Sequence, residues 1–430
     1  MFKQLNRLLG ACACLLMLSS SLACAYDYPF TDRYVATVLG TPAEYAAVMP
    51  KDIPVKIDKI KMFPDREVPD ILWNFAELKY SYIRQKGPAP LIFLVAGTGA
   101  SFHSAKMVGM QKAFYQAGYH VISISSPTHP NFIVAASSSG VPGHLTEDSA
   151  DLYRVMQAVW KKHQKQMEVT DFFLTGYSLG AAESAFIAKL DEQEKVFNFR
   201  KVLLINPPVS LYNSVLILDE MLAMNIPGGL DNFDKFYDDI ISSFSDAYAR
   251  GDNVEFNDQF LYQTYKYKKP KSDDPLEALI GFDFRLSSEN MVFTSDIMSQ
   301  AGYVVPKGLK LERHHSRVEY IKVLGRLSFL DYFRGLFLPY FQSKDPKITE
   351  PDLIRQMSLR SIEDYLRTSP KFGLIHNEDD IILLPGEIDY LRDLFGDRAQ
   401  IFPHGGHCGN MAYPDNVKAM VDFFQTSKMN

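Results

Sequence analysis

The residues best placed for chemistry are a serine, a pair of aspartates and a histidine. Ser178 lies in "FFLTGYSLGAAESA", Phe172 to Ala185, with Gly176 and Gly180 two positions to either side. A serine hydroxyl at neutral pH is a weak nucleophile. It becomes a strong one when a histidine takes its proton and a carboxylate orients the imidazole and stabilises its charge. Both residue types recur near the end of the chain. "LIHNEDDIILLP" carries Asp379 and Asp380, and "IFPHGGHCGNM" carries His404 and His407, the latter 27 residues after Asp380. A serine that merely capped a helix would explain neither flanking glycine. A turn too tight for side chains at its corners explains both.

Such a turn needs a strand before it and a helix after it. "DFFLTGYS" is a buried apolar run, and "LGAAESAFIAKL" has small residues, Ala181, Ala182 and Ala185, that let a helix approach a sheet closely. The same alternation runs along the chain. "LKYSYI" and "PLIFLVAG" are strand-like, Ser104 to Ala117 is helical, and "HVISISS" is a strand. "LTEDSADLYRVMQAVWKKHQKQM" follows, with Thr146 as N-cap and Leu152, Val155, Met156, Val159 and Trp160 on one face. "RKVLLINPP" is a further strand. After Pro208 the rhythm stops, and it resumes with "KFGLIHNEDD", "PGEIDYLRDLFG", "AQIFPHGGH" and a closing helix. Strands alternating with helices predict a mostly parallel α/β sheet with helices on both faces, placing Ser178 at the carboxyl end of a strand, where ligands gather. The segment from Val209 to Lys371 is then an insertion.

On these motifs the chain resembles the α/β-hydrolase superfamily, whose nucleophile elbow is strand, Gly-x-Ser-x-Gly, helix, and whose chain order is nucleophile, acid, histidine. The resemblance implies Ser178 as nucleophile, His407 as base and Asp380 as acid, with Asp379 the alternative acid and His404 the alternative histidine. It implies oxyanion donors on the backbone N–H groups of Leu179 and Thr98. "AGTGAS" resembles the family's His-Gly-x-x-x-Ser loop, with Ala96 where a histidine is usual. No cofactor and no metal are implied, and the adjacent His314 and His315 are poorly spaced for one. The implied organisation is a core of residues 26–208 and 372–430, with 209–371 a mainly helical cap or lid. The aromatic-rich stretch "YIKVLGRLSFLDYFRGLFLPYFQ" in that cap either receives a hydrophobic acyl part of the substrate or forms the cap's own core. The function implied is hydrolysis of a small-molecule carboxylic ester or thioester through an acyl-enzyme. The same triad also serves peptidases and acyltransferases, and a non-catalytic relative would bind a lipid or a partner instead.

The first 25 residues read as a secretory signal peptide: Lys3 and Arg7, an apolar run from Leu8 to Leu22, then Ala23-Cys24-Ala25. This predicts a protein exported to the periplasm or beyond, beginning at Tyr26 and without a membrane span; acylation at Cys24 is the alternative. Cys408 is then the one cysteine left, so no internal disulfide forms. Losing Lys3 and Arg7 takes the formal charge from -6 to -8, which gives no electrostatic case for nucleic acid. The basic strip "YKYKKPK", Tyr265 to Lys271, reads as a solvated loop. His129, Ser137 to Ser139 and His144, on the predicted catalytic rim, read as a surface loop, and Cys408 as an inert packing residue.

Overall fold

The computed structural model describes residues 26–249 and 276–426. The signal-peptide segment, Cys24 and the basic strip at 265–271 lie outside the described residues. Helix α1 is Arg33–Leu39, and eight strands follow: β1 Lys56–Ile60, β2 Leu78–Ile83, β3 Ala89–Val95, β4 His120–Ile124, β5 Val169–Tyr177, β6 Lys201–Ile205, β7 Phe372–Asn377 and β8 Ala399–Phe402. They make one sheet in the order β1-β2-β4-β3-β5-β6-β7-β8. The β1–β2 and β2–β4 pairs are antiparallel and all the others parallel. This is the α/β-hydrolase fold. β2 and β3 are neighbours in sequence yet do not pair, because the crossover through helix α2 (Ala105–Gln116) lays β4 between them.

Period-two alternation explains how the sheet buries both faces. Phe93 and Val95 of β3 point into one apolar cluster with Leu152, Val155 and Met156 of α4 (Leu145–His163) and Ala181, Ala182 and Ala185 of α5 (Leu179–Glu194). Ile92 and Leu94 of the same strand point into the other, with Met107 and Phe114 of α2 and the C-terminal helix. Each fully buried Phe, Val, Leu, Ile or Met among them contributes roughly 1.5–3 kcal/mol. β1 is the exposed edge, with Lys56 and Lys59 on it, and charges there discourage pairing with another chain.

Two local expectations change. The short helix α3 (Pro130–Ala135) and the residues after it are largely buried, so 126–144 is not a surface loop. The N-cap of α4 is His144 rather than Thr146: its Nδ1 accepts the Glu147 amide, and Asp148 turns back to accept the Gly143 amide at 2.7 Å. Those two acceptors satisfy the helix start two residues earlier than the threonine would.

Between β6 and β7 the described chain holds helices and no strand of the sheet: α6 Leu211–Asn225, α7 Phe233–Ala249, α8 Leu276–Ser299, α9 Val318–Leu324, α10 Phe329–Tyr332, α11 Leu338–Lys344, α12 Glu350–Gln356 and α13 Glu363–Thr368. A buried ion pair, Arg285 to Asp219 at 2.6 Å, ties α8 to α6, and Asp219 also accepts the Phe329 amide. The aromatic-rich stretch stacks on itself. Phe333 and Phe337 lie 5.4 Å apart, Phe337 and Phe341 4.7 Å, and all three are buried. It belongs to a core shared with the sheet: Phe341 stacks on the His144 ring at 4.8 Å, and Phe337 lies over Gly143. Beyond β7 come α14 (Glu387–Phe395), β8 and α15 (Pro414–Gln425). Among the described residues no helix is long and apolar enough to cross a membrane.

Candidate active site

Ser178 sits where β5 turns into α5, with φ 54° and ψ -125°, a conformation that costs an L-residue of order 1–3 kcal/mol unless its surroundings enforce it. They do. The Ser178 amide donates to the Ile205 carbonyl at the end of β6. A Cβ on Gly176 would stand 2.3 Å from the Gly180 oxygen, and one on Gly180 would stand 2.4 Å from the Val95 oxygen. Neither position admits any side chain, so the two glycines let the backbone close and push the serine hydroxyl outward.

The other residues arrive from the far end of the chain. His407 Nε2 is 2.9 Å from Ser178 Oγ, and its Nδ1 is 3.1 Å from both carboxylate oxygens of Asp380. With Nδ1–H donating to the carboxylate, the Nε2 lone pair faces the serine hydroxyl. Asp380 is buried, and its remaining acceptor capacity is filled by Asn206 Nδ2 at 2.8 Å and the Ile382 amide at 3.1 Å. Burial alone would raise its pKa, but His407 and His376 outweigh it and hold the carboxyl below its ordinary value. For His407 burial acts to lower the pKa, and the facing Asp380 carboxylate overcomes it, so the imidazole is pushed up.

Asp379 does different work. Its two oxygens accept the amides of Gly406 at 2.9 Å and Gly405 at 3.3 Å, fixing the loop that carries His407. His404 contributes its carbonyl oxygen, which accepts from the Tyr26 hydroxyl. Thr98 and Leu179 lie beside Ser178 in one cavity wall, and their amides donate to no acceptor among the described residues. Gly99, next to Thr98, is already bonded to Thr128 Oγ1 at 2.7 Å. Cys408 is buried with φ 60°, its Sγ 3.8 Å from His407 Nε2. Among the described residues no group of three or more His, Cys, Asp or Glu side chains could hold a metal ion.

Sequence reasoning missed the N-terminal strap. α1 lies against the histidine loop, where the His407 amide donates to Thr37 Oγ1 at 2.9 Å and Thr41 Oγ1 donates to the Gly409 carbonyl at 3.0 Å. Gly406 is so close that a Cβ would meet the Arg33 carbonyl at 2.2 Å. The one local signal was Asp32, whose carboxylate caps α1 by accepting the Tyr34 and Val35 amides. Thr37→Val keeps the side-chain shape and removes the acceptor. We expect kcat to fall about tenfold with KM little changed, because displacement of the imidazole is felt at the reacting atoms. Unaltered steady-state kinetics would show that Thr37 does not position His407.

Ser178 and His407 open on a cavity of about 840 Å³, within the range of small-molecule sites. Part of its wall comes from the helices between β6 and β7, including Leu211, Val215 and Leu218 on one face of α6, Ile280 of α8 and Ile321 of α9. Of the residues read as rim from the sequence, His129 lies in this wall. Ser138 is bonded to Asp151, and His144 caps α4 and meets Gln356 at 2.6 Å.

No family model matches this sequence, and comparison with curated proteins finds no match. Solved structures do align. Est1E from Butyrivibrio proteoclasticus aligns at 10% identity over 86% of this chain and 97% of its own, with a TM-score of 0.38. The Pyrococcus furiosus esterase Pf2001 aligns at 11% identity over 87% and 92%, with a TM-score of 0.42. The thioesterase domain from the curacin biosynthetic pathway aligns at 12% identity over 86% and 99%, with a TM-score of 0.37.

Proposed function

We propose that this protein is an exported serine hydrolase that cleaves a carboxylic ester or thioester with a hydrophobic acyl part. The observation that carries the proposal is the continuous hydrogen-bonded line from Asp380 through His407 to Ser178 at the wall of a cavity of ligand size. In this mechanism Ser178 Oγ attacks the carbonyl carbon while His407 Nε2 takes its proton. The oxyanion is received by the amides of Leu179 and Thr98. As the tetrahedral intermediate collapses, His407 returns the proton to the departing alcohol or thiol. Water then enters and loses a proton to the same imidazole as its oxygen attacks the acyl carbon; the bond from that carbon to Ser178 Oγ breaks, the acid leaves, and His407 passes the proton back to Oγ. The inserted helices serve as a cap that lets apolar substrate in and keeps bulk water out.

Turnover of p-nitrophenyl esters of graded acyl length by the protein beginning at Tyr26 tests the proposal. Hydrolysis that strengthens with chain length is expected, and absence of turnover at every length would defeat it. Intact mass of the secreted protein tests cleavage after Ala25, against a lipid-modified Cys24.

The electrostatics give a pH dependence. His407 acts as base when neutral, and Asp380 raises its pKa above the ordinary 6.5. Activity is therefore lost as pH falls through that raised value, and the acid limb of kcat/KM lies above 6.5. In residual activity of Asp380→Asn the limb moves down, since burial then acts without the carboxylate. A limb that stays in place in that variant would assign the titration to another group.

A further inference from the structure

His129 stands where the sheet end meets the cavity, and it is built in rigidly. Its backbone amide donates to the Ser126 carbonyl at 2.9 Å. The Ser126 hydroxyl meets Thr128 Oγ1 at 2.9 Å, and Thr128 Oγ1 accepts the Gly99 amide in the loop that carries Thr98. The ring is oriented as well. Its Nδ1 accepts the Asn131 amide at 3.1 Å, so the proton of the neutral imidazole is on Nε2. Burial, with His103 nearby, lowers the pKa to about 4, which keeps the ring neutral at the pH where a hydrolase works. Nε2 has no acceptor among the described residues, and His129 shares the cavity wall with Thr98, Phe75 and Lys106. One stretch of the wall is apolar, along Leu211, Val215 and Leu218 and across to Ile381 and Ile382, while Glu289, Asn290, Arg317 and Lys322 line another part.

We propose that His129 Nε2–H donates a hydrogen bond to an oxygen of the substrate's alcohol part, so that the cavity selects amphipathic esters, a fatty acyl chain on a hydroxylated alcohol, over plain alkyl esters. The inference rests on the ester-hydrolase reading of the cavity and adds the substrate class to it. A fixed donor next to the oxyanion loop gains a partner from a hydroxylated head group. Against an alkyl ester the same N–H loses water and gains nothing, which disfavours that ligand.

The test uses binding, so that it does not depend on turnover. In the Ser178→Ala protein, equilibrium affinity is measured for a 1-monoacylglycerol and for the ethyl ester of the same acid. The measurement is repeated with His129→Ala and with His129→Asn. Asparagine retains a side-chain acceptor for the Asn131 amide and so keeps the start of α3 capped, but it is too short to present the donor. Both substitutions are expected to weaken the monoacylglycerol about tenfold and to leave the ethyl ester within about twofold. Three results would overturn the proposal: no preference in the parent, binding of neither ester, or full recovery of the preference in His129→Asn. The last would make His129 a structural cap. A Ser178 protein that binds the monoacylglycerol with this preference yet hydrolyses no ester would refute the hydrolase reading alone.

Discussion

Ser178→Ala is expected to abolish both ester turnover and labelling by a fluorophosphonate while leaving the protein folded. Labelling one serine among many requires a base within reach of its hydroxyl and a pair of amides for a phosphoryl oxygen; on the proposed reading His407, 2.9 Å from Ser178 Oγ, is the first and the amides of Leu179 and Thr98 are the second. The expected loss is on the order of 10⁴-fold to 10⁶-fold, and His407→Ala approaches it because members of such a unit are not additive. The fold should survive, since the substitution deletes only a hydroxyl in a turn whose shape is enforced by Gly176, Gly180 and the Ile205 carbonyl. A serine held at φ 54° sits in a strained backbone conformation, and on the proposed reading that strain serves function, so the alanine protein should melt at the same temperature as the parent or slightly above. Retained labelling in a folded Ser178→Ala protein would reduce the serine to a turn residue and remove the functional reading with it.

The second large effect separates two adjacent carboxylates. Asp380→Asn should lose hundreds-fold or more in kcat, because a buried amide in place of the carboxylate no longer holds the imidazole in the tautomer that leaves Nε2 free. It also removes the charge that stabilises the imidazolium. Asp379→Asn should lose far less, about tenfold, since one side-chain oxygen still accepts a loop amide and only the second contact, to Gly405 or Gly406, is weakened. The two variants differ in kind as well as size. Thermal melting should fall more in relation to activity for Asp379→Asn, whose bonds hold backbone. A larger activity loss in Asp379→Asn than in Asp380→Asn would assign the acid to the other residue.

The sequence by itself determined whatever depends on near neighbours along the chain. Alternating apolar patterns separate strands from helices, because side-chain period is a property of four to eight consecutive residues. The glycines two places either side of Ser178 specify a tight strand-to-helix turn for the same reason. The order of β5, β7 and β8 then puts a serine, an acidic pair and a histidine at one end of a parallel sheet, so the residue types of the site were legible before its shape. The resemblance put Asp380 ahead of Asp379, and it is Asp380 that faces the imidazole, but the local pattern gives no reason for this, because only the path of the chain after β7 turns one carboxylate toward His407 and the other toward the Gly405–Gly406 amides. The service of α1 was not legible, since the bond from His407 to Thr37 joins residues 370 apart and leaves no periodic trace. The aromatic stretch from Tyr320 to Gln342 could have lined a pocket or filled a core, and apolar composition is the same in both. Only the folded packing buries Phe333, Phe337 and Phe341 in a core shared with the sheet and turns Ile321 of the same stretch into the cavity wall beside α6 and α8. Local pattern encodes which elements form. Contact between distant elements is set by how their surfaces fit, and that is a property of the folded chain alone.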